Sequence, residues 1–210
     1  MTDSAAQALA ILRDTSQFQW YVIPLLTLAA YIYANEIQKK NWNIVFAGLT
    51  YLGLDMFIEI VNSLVFHFTQ YAPAWITPGK TAYLLLIGMN IEIFFMFALV
   101  GIVMSKFLPE NKNERIFGMP GRFFTGLCAA AVCTTVEVML NSAGVLVWEY
   151  PWWNKGPASI IIFSGYFLFF IISFRVHDIE KVRNKIIAVG SIYAFDAAGI
   201  IIFGTLLKWI

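Results

Sequence analysis

Six stretches of the chain are almost wholly apolar: about 18–37, 43–68, 81–106, 122–148, 157–175 and 184–209. A spanning helix needs roughly 20 mostly apolar residues. The pattern therefore predicts an all-α polytopic membrane protein, a bundle of six transmembrane helices. Before the first stretch, the run SAAQALAILRD (4–14) predicts a short interfacial helix with Ser4 as its N-cap. If that piece entered the bilayer, the count would be seven. The chain thus divides into an N-terminal interfacial segment, 1–17, and a transmembrane helical domain, 18–210.

Composition agrees with the pattern. The 210 residues are 60% hydrophobic and 13% charged, whereas a soluble domain carries about 25% charged residues. A net charge of +1 leaves no basic surface for nucleic acid; membrane lipids are the expected surroundings. Ten of the 14 Lys and Arg residues flank the loops after the first, third and fifth stretches, against Arg13, Lys80, Lys155 and Lys208 on the other side. Basic loops stay in the cytoplasm. Both termini are accordingly expected on the non-cytoplasmic face of a bacterial inner membrane or an endoplasmic reticulum. The loops on that face, Gln70–Lys80 and Val147–Pro157, carry Trp75, Trp148, Trp152 and Trp153. They read as an interfacial aromatic belt or as the outer rim of a cavity.

Acidic residues inside the apolar stretches change the picture most. Asp55, Glu59, Glu92, Glu137 and Asp196 each fall near the middle of an expected span, and no Lys or Arg lies at that depth. A central acid costs roughly 2.5–3.5 kcal/mol to insert, so such groups are expected to face the bundle interior. Asp55, Glu59, Asn62 and Phe66 share one helical face, as do Glu137, Asn141 and Trp148. Asp196 shares a face with Tyr193, and Glu92 with Gly88, Phe95 and Met96. The fifth span adds Tyr166. With no cation at hand, burial and mutual repulsion favour neutral acids that both donate and accept hydrogen bonds. Individual members are equally readable as interhelical polar contacts.

One chemistry that uses these parts is protonation of an epoxide or alkene, with ring faces stabilising the carbocation and a second carboxyl taking the last proton. The motifs "MFIEIVN" around Glu59 and "IYAFDAAG" around Asp196 resemble, in layout, the small integral-membrane terpene cyclases of meroterpenoid, indole-diterpene and drimane-type pathways. That resemblance implies Glu59 and Asp196 as the acid/base pair. Asp55, Asn62, Glu92, Glu137 and Asn141 would support them. Phe66, Phe95, Trp148, Tyr166 and Tyr193 would contact a hydrophobic isoprenoid or lipid-like substrate. The stretch "FIEIVNSLVFHF" is also loosely similar to the acid-bearing helix of sterol-isomerase-like proteins. The alternative is a proton- or cation-coupled transporter or channel built on the same carboxyls. No metal and no cofactor is expected: His67 and His177 sit at helix ends, and no Glu-x-x-His pair occurs.

Overall fold

The computed structural model describes residues 1–153 and 156–210; Lys155, counted above among the outer basic residues, lies outside them. Among the described residues seven α-helices carry the fold: α1 (Asp3–Ile11), α2 (Val22–Gln38), α3 (Trp42–Thr69), α4 (Ile91–Ser105), α5 (Gly121–Ser142), α6 (Pro157–Asp178) and α7 (Val182–Gly199). The last continues through Leu206 in wider π-type turns. Two short hairpins, β1–β2 (Leu84–Leu86, Met89–Asn90) and β3–β4 (Arg115–Ile116, Met119–Pro120), precede α4 and α5 at opposite ends of the bundle. With α3, α5, α6 and α7 each long and apolar enough to cross a bilayer, the molecule is an all-α membrane protein.

α3 is the central post, packed against α4, α6 and α7, whereas α5 rests mainly on α6. Close approach of α3 and α4 depends on small residues. A Cβ on Gly101 would come within 2.6 Å of Tyr51 Cβ, and one on Gly48 within 2.5 Å of Ile102 Cγ1. Below this crossing Tyr51, Phe97, Phe170 and Phe174 form a buried aromatic core with Ala129 and Ala130.

Three expectations need correction. Residues 81–90 are not helical. Asn90 is extended, and its side chain accepts the Ile93 N–H at 2.8 Å, so α4 begins one residue later. The apolar run before it is a hairpin that hydropathy alone cannot tell from a helix. At the other end of the fourth predicted span, α5 stops at Ser142, because Gly144 adopts φ 72° and the chain turns to pair Val147 with Ile76. In α1 the cap is Thr2, whose hydroxyl accepts from Ala5 N, and Ser4 instead hydrogen-bonds Glu149. With nine residues α1 is about 14 Å long, too short to span. It lies against the hairpin loop, with Ala5 and Ala8 fully buried.

The aromatic end of the bundle is a knitted cover. Thr2 N donates to Tyr71 O at 3.1 Å, Arg13 N to Leu84 O at 3.0 Å, and Tyr150 Oη to Ala72 O at 2.6 Å. The Arg13 guanidinium reaches Leu85 O at 3.1 Å and the C-terminal Ile210 O at 3.2 Å. Both termini therefore meet at this end.

At the basic end three acid–base contacts fasten the helices. Glu36 meets Lys106 at 2.6 Å, Arg122 grips Asp178 with two bonds of 3.0 and 3.1 Å, and His177 Nδ1 lies 2.8 Å from Asp178. Buried Lys185 donates to the last carbonyls of α6, at Val176 and His177.

Candidate functional site

Between α3, α4, α5 and α6 lies a cavity of about 610 Å³, within the range of roughly 300–1,000 Å³ usual for small-molecule sites. One turn of α3 sets Asp55 and Glu59 on its wall, and the next turn adds Asn62. α5 contributes Glu137 and α6 contributes Tyr166, whose hydroxyl donates to Glu137 Oε2 at 2.6 Å. The remaining lining is apolar or aromatic and includes Phe97, Phe169 and Trp153.

The cover closes the cavity through Asn62. Its amide donates to Trp75 O at 2.9 Å and accepts from Ala74 N at 2.8 Å. That holds Trp75 so that its indole Nε1 donates to Glu59 Oε1 at 2.7 Å. Gly88, in the turn of the first hairpin, touches all three groups. A Cβ there would stand 2.5 Å from Asn62 Nδ2, 2.6 Å from Glu59 Oε2 and 2.6 Å from Trp75 Cδ1. Only a residue without a side chain lets the hairpin seat itself on the acids.

Satisfaction of the carboxyls is incomplete. Asp55 Oδ2 and Glu59 Oε2 are buried and have no hydrogen-bond partner among the described residues. The lining contains no Lys or Arg among the described residues. Buried polar atoms are nearly always paired, so two carboxyl oxygens without partners among the described residues single out this cavity wall as the candidate site. Part of the rim is lipid-side surface: Val132, Ile161 and Leu168 line the cavity and are also half-exposed on the outside of α5 and α6. An apolar ligand has a lateral way in.

Residues 2–205 match an uncharacterized membrane protein family. The chain belongs to that family. A protein of Archaeoglobus fulgidus, described as an uncharacterized protein, is 51% identical over 209 residues, covering all of this chain and 99% of the relative. A second, short uncharacterized protein of the same organism is 44% identical over 55 residues, 26% of this chain and 98% of its own length. No solved structure is significantly similar. The family and the four long apolar helices together make this a membrane protein.

In this family member the structure gathers five of the twelve residues singled out from sequence: Asp55, Glu59, Asn62, Glu137 and Tyr166. The others lie elsewhere. Asp196 is buried against α3 on the α7 side, outside the cavity lining, and both its oxygens lack partners among the described residues. Tyr193 beside it donates to Leu49 O at 3.1 Å and ties α7 to α3. Glu92 sits in the first turn of α4, not mid-span. It accepts from Thr81 Oγ1 at 2.5 Å, from Ala82 N at 3.0 Å and from Tyr21 Oη, a brace at a helix N-terminus where an acid is electrostatically at home. Phe95 packs with Val22, Ala29 and Ala82, and Phe66 packs under α1. Asn141 donates to Leu146 O at 3.0 Å and shapes the turn after α5. Trp148 stands beside Glu137, its Nε1 buried and unpaired among the described residues.

Trp75 and Gly88 carry the site without having been picked out as site residues. Gly88 two residues before a capping Asn90 is a turn signal that was available. Trp75 in an aromatic loop carries no mark that separates it from a belt residue.

Proposed function

We propose that the protein is an integral-membrane cyclase or isomerase of a hydrophobic isoprenoid, working by acid and base chemistry in the α3–α6 cavity. One observation carries this: Asp55 and Glu59 present buried oxygens, unpartnered among the described residues, to an apolar, aromatic-walled space. A carboxylic acid there transfers its proton to an epoxide oxygen or an alkene carbon. The epoxide C–O bond or the alkene π bond breaks and a carbocation forms. Neighbouring double bonds attack it in turn, while the faces of Phe97, Phe169, Tyr166 and Trp153 stabilise the migrating charge. Loss of a C–H proton to a carboxylate ends the sequence, restores the acid and makes the net reaction an isomerisation.

Residue roles follow the geometry and not the layout resemblance. Glu59 is the principal acid, positioned by Trp75. Asp55, protonated like Glu59 at the start, ends the sequence by passing its own proton to the spent Glu59 carboxylate as it takes the C–H proton, and Glu137, held by Tyr166, stabilises. Asp196 has no part in it, because it lies outside the cavity.

The proposed membrane arrangement is six spans, α2 to α7, with the basic end in the cytoplasm. The termini support an even number of crossings, since Arg13 bonds the carbonyl of Ile210.

The test uses purified Glu59→Gln, Asp55→Asn, Glu137→Gln and Asp196→Asn variants with a panel of epoxy-isoprenoids, read by mass spectrometry. Loss of a general acid or base is worth roughly 10²–10⁴ in rate, so Glu59→Gln should fall by that factor while Asp196→Asn keeps wild-type conversion. Near-wild-type conversion in all three cavity variants would remove the assignment. Proton flux in proteoliposomes without any product would favour the transporter alternative.

A further inference from the structure

The same cavity has a ligand preference that does not depend on any reaction. Its titratable lining comprises Asp55 and Glu59 from α3, Glu137 and Cys133 from α5, and Tyr166 from α6; α4 and the cover contribute none among the described residues. Every group of this set that ionises readily is therefore an acid. An anion entering would meet no Lys or Arg among the described residues of the lining; its N–H and O–H donors are Trp75 and Tyr166, both given to carboxyls, the Asn62 amide, given to Trp75 O, and the Trp153 indole. A buried carboxylate without a counter-ion is too costly to persist, so each acid holds a proton until a cation replaces it. Tyr166, Trp75, Trp153, Phe97 and Phe169 present the ring surface that draws a weakly hydrated cation.

We infer that the cavity is a binding site for a lipophilic organic monocation, of the alkylammonium or phosphonium class, taken up from the bilayer in exchange for a proton. This rests on the cavity being a ligand site, as proposed above, but not on its being an enzyme's. In the cyclase reading such an ion mimics the carbocation; in the absence of chemistry it is the cargo.

Tetraphenylphosphonium and tetraphenylborate, ions of one shape and opposite charge, decide the matter. Each is titrated into the purified full chain in a nonionic detergent. Calorimetry in two buffers of different ionisation enthalpy counts the protons exchanged. Releasing about one proton per ion, the phosphonium should bind about tenfold tighter for each unit of pH, about a thousandfold between pH 5 and pH 8, while the borate does not bind. The Asp55→Asn/Glu59→Gln double variant should lose at least tenfold in affinity and most of the proton release. Asp196→Asn, with its acid outside the cavity, should bind as wild type and shows that a removed buried acid alone does not weaken binding. Should the double variant fail to fold, Glu137→Gln provides the same comparison from α5.

Equal binding of the borate, no proton release, or wild-type affinity in the folded cavity variants would each overturn the inference. The two proposals fail separately. Phosphonium binding with proton release, but no conversion of the isoprenoid panel, leaves this site standing and removes the cyclase. Conversion that the phosphonium neither binds against nor inhibits does the reverse.

Discussion

Glu36 and Glu59 are both buried glutamates in apolar helices, 1% and 4% exposed, yet they have opposite surroundings. Glu36 at the basic end receives Lys106 at 2.6 Å and the Asn41 amide at 2.7 Å. Glu59 at mid-bundle receives one indole N–H, and its second oxygen is unpaired among the described residues. Asp178 repeats the first case, with Arg122 and His177 around it, and Asp55 repeats the second. Burial alone thus says little about an acid's role. A carboxyl given a cation and a full set of donors fastens helices together; one given neither, on a cavity wall, is available to a ligand.

The largest effect expected from this contrast is on function. Glu59→Gln should lower conversion by roughly 10²–10⁴, yet change stability by no more than about 1 kcal/mol, because a glutamine oxygen still accepts from Trp75. Thermal unfolding of the purified variant, run beside the assay, checks both halves. A variant that fails to fold would place Glu59 with Glu36, among the fasteners.

Arg122→Met attacks the opposite kind of site. It strips Asp178 of its bidentate partner and should cost about 2–3 kcal/mol, less than the 3–5 typical of a fully buried pair because Asp178 keeps some solvent contact. Cation affinity in the cavity should be unchanged. Denaturant midpoints measured together with phosphonium titrations would expose any coupling between the two ends.

Asn62 connects the two classes, being structural in its bonds and adjacent to the acids in its position. Asn62→Leu leaves Ala74 N and Trp75 O without their partner, at a cost of about 1–3 kcal/mol. It should also loosen Trp75 over Glu59. The checks are the unfolding midpoint and Trp fluorescence, and an unmoved fluorescence signal would mean that the cover is held by its other bonds.

How much of this was readable in advance depended on periodicity. The face Asp55, Glu59, Asn62 is fixed by helix geometry once α3 is recognised, and α3 is a long apolar run without proline. Glu137 followed for the same reason. Glu92 was misplaced because "TAYLLLIGMN" has the hydropathy of a span; its backbone polar groups are paired across a hairpin, not along a helix. Phe95 failed with it, since its expected face assumed that Gly88 was helical. Asp196 was correctly placed within a long helix and correctly buried. Which face of α3 it would meet is a tertiary fact that no single-helix pattern contains. The resemblance to membrane cyclases paired it with Glu59; packing puts it at the α7 side, while the cavity acid opposite α3 comes from α5.

Asp196 is where the contrast is least settled by geometry and the expected effect is smallest. It is buried like Glu59 and unpaired like Glu59 among the described residues, but it does not line the α3–α6 cavity. A polar group buried without a partner opposes folding. Replacing it with an isosteric apolar residue, Asp196→Leu, should therefore leave stability unchanged or raise it by up to about 1 kcal/mol, with conversion and phosphonium binding as in wild type. Unfolding of that variant in detergent and again in lipid vesicles is the measurement. A clear loss of stability would show that the α3–α7 interface satisfies this carboxyl. Asp196 would then join Glu36 and Asp178 as a fastener, and only the acids of the α3–α5 wall would remain in the second class.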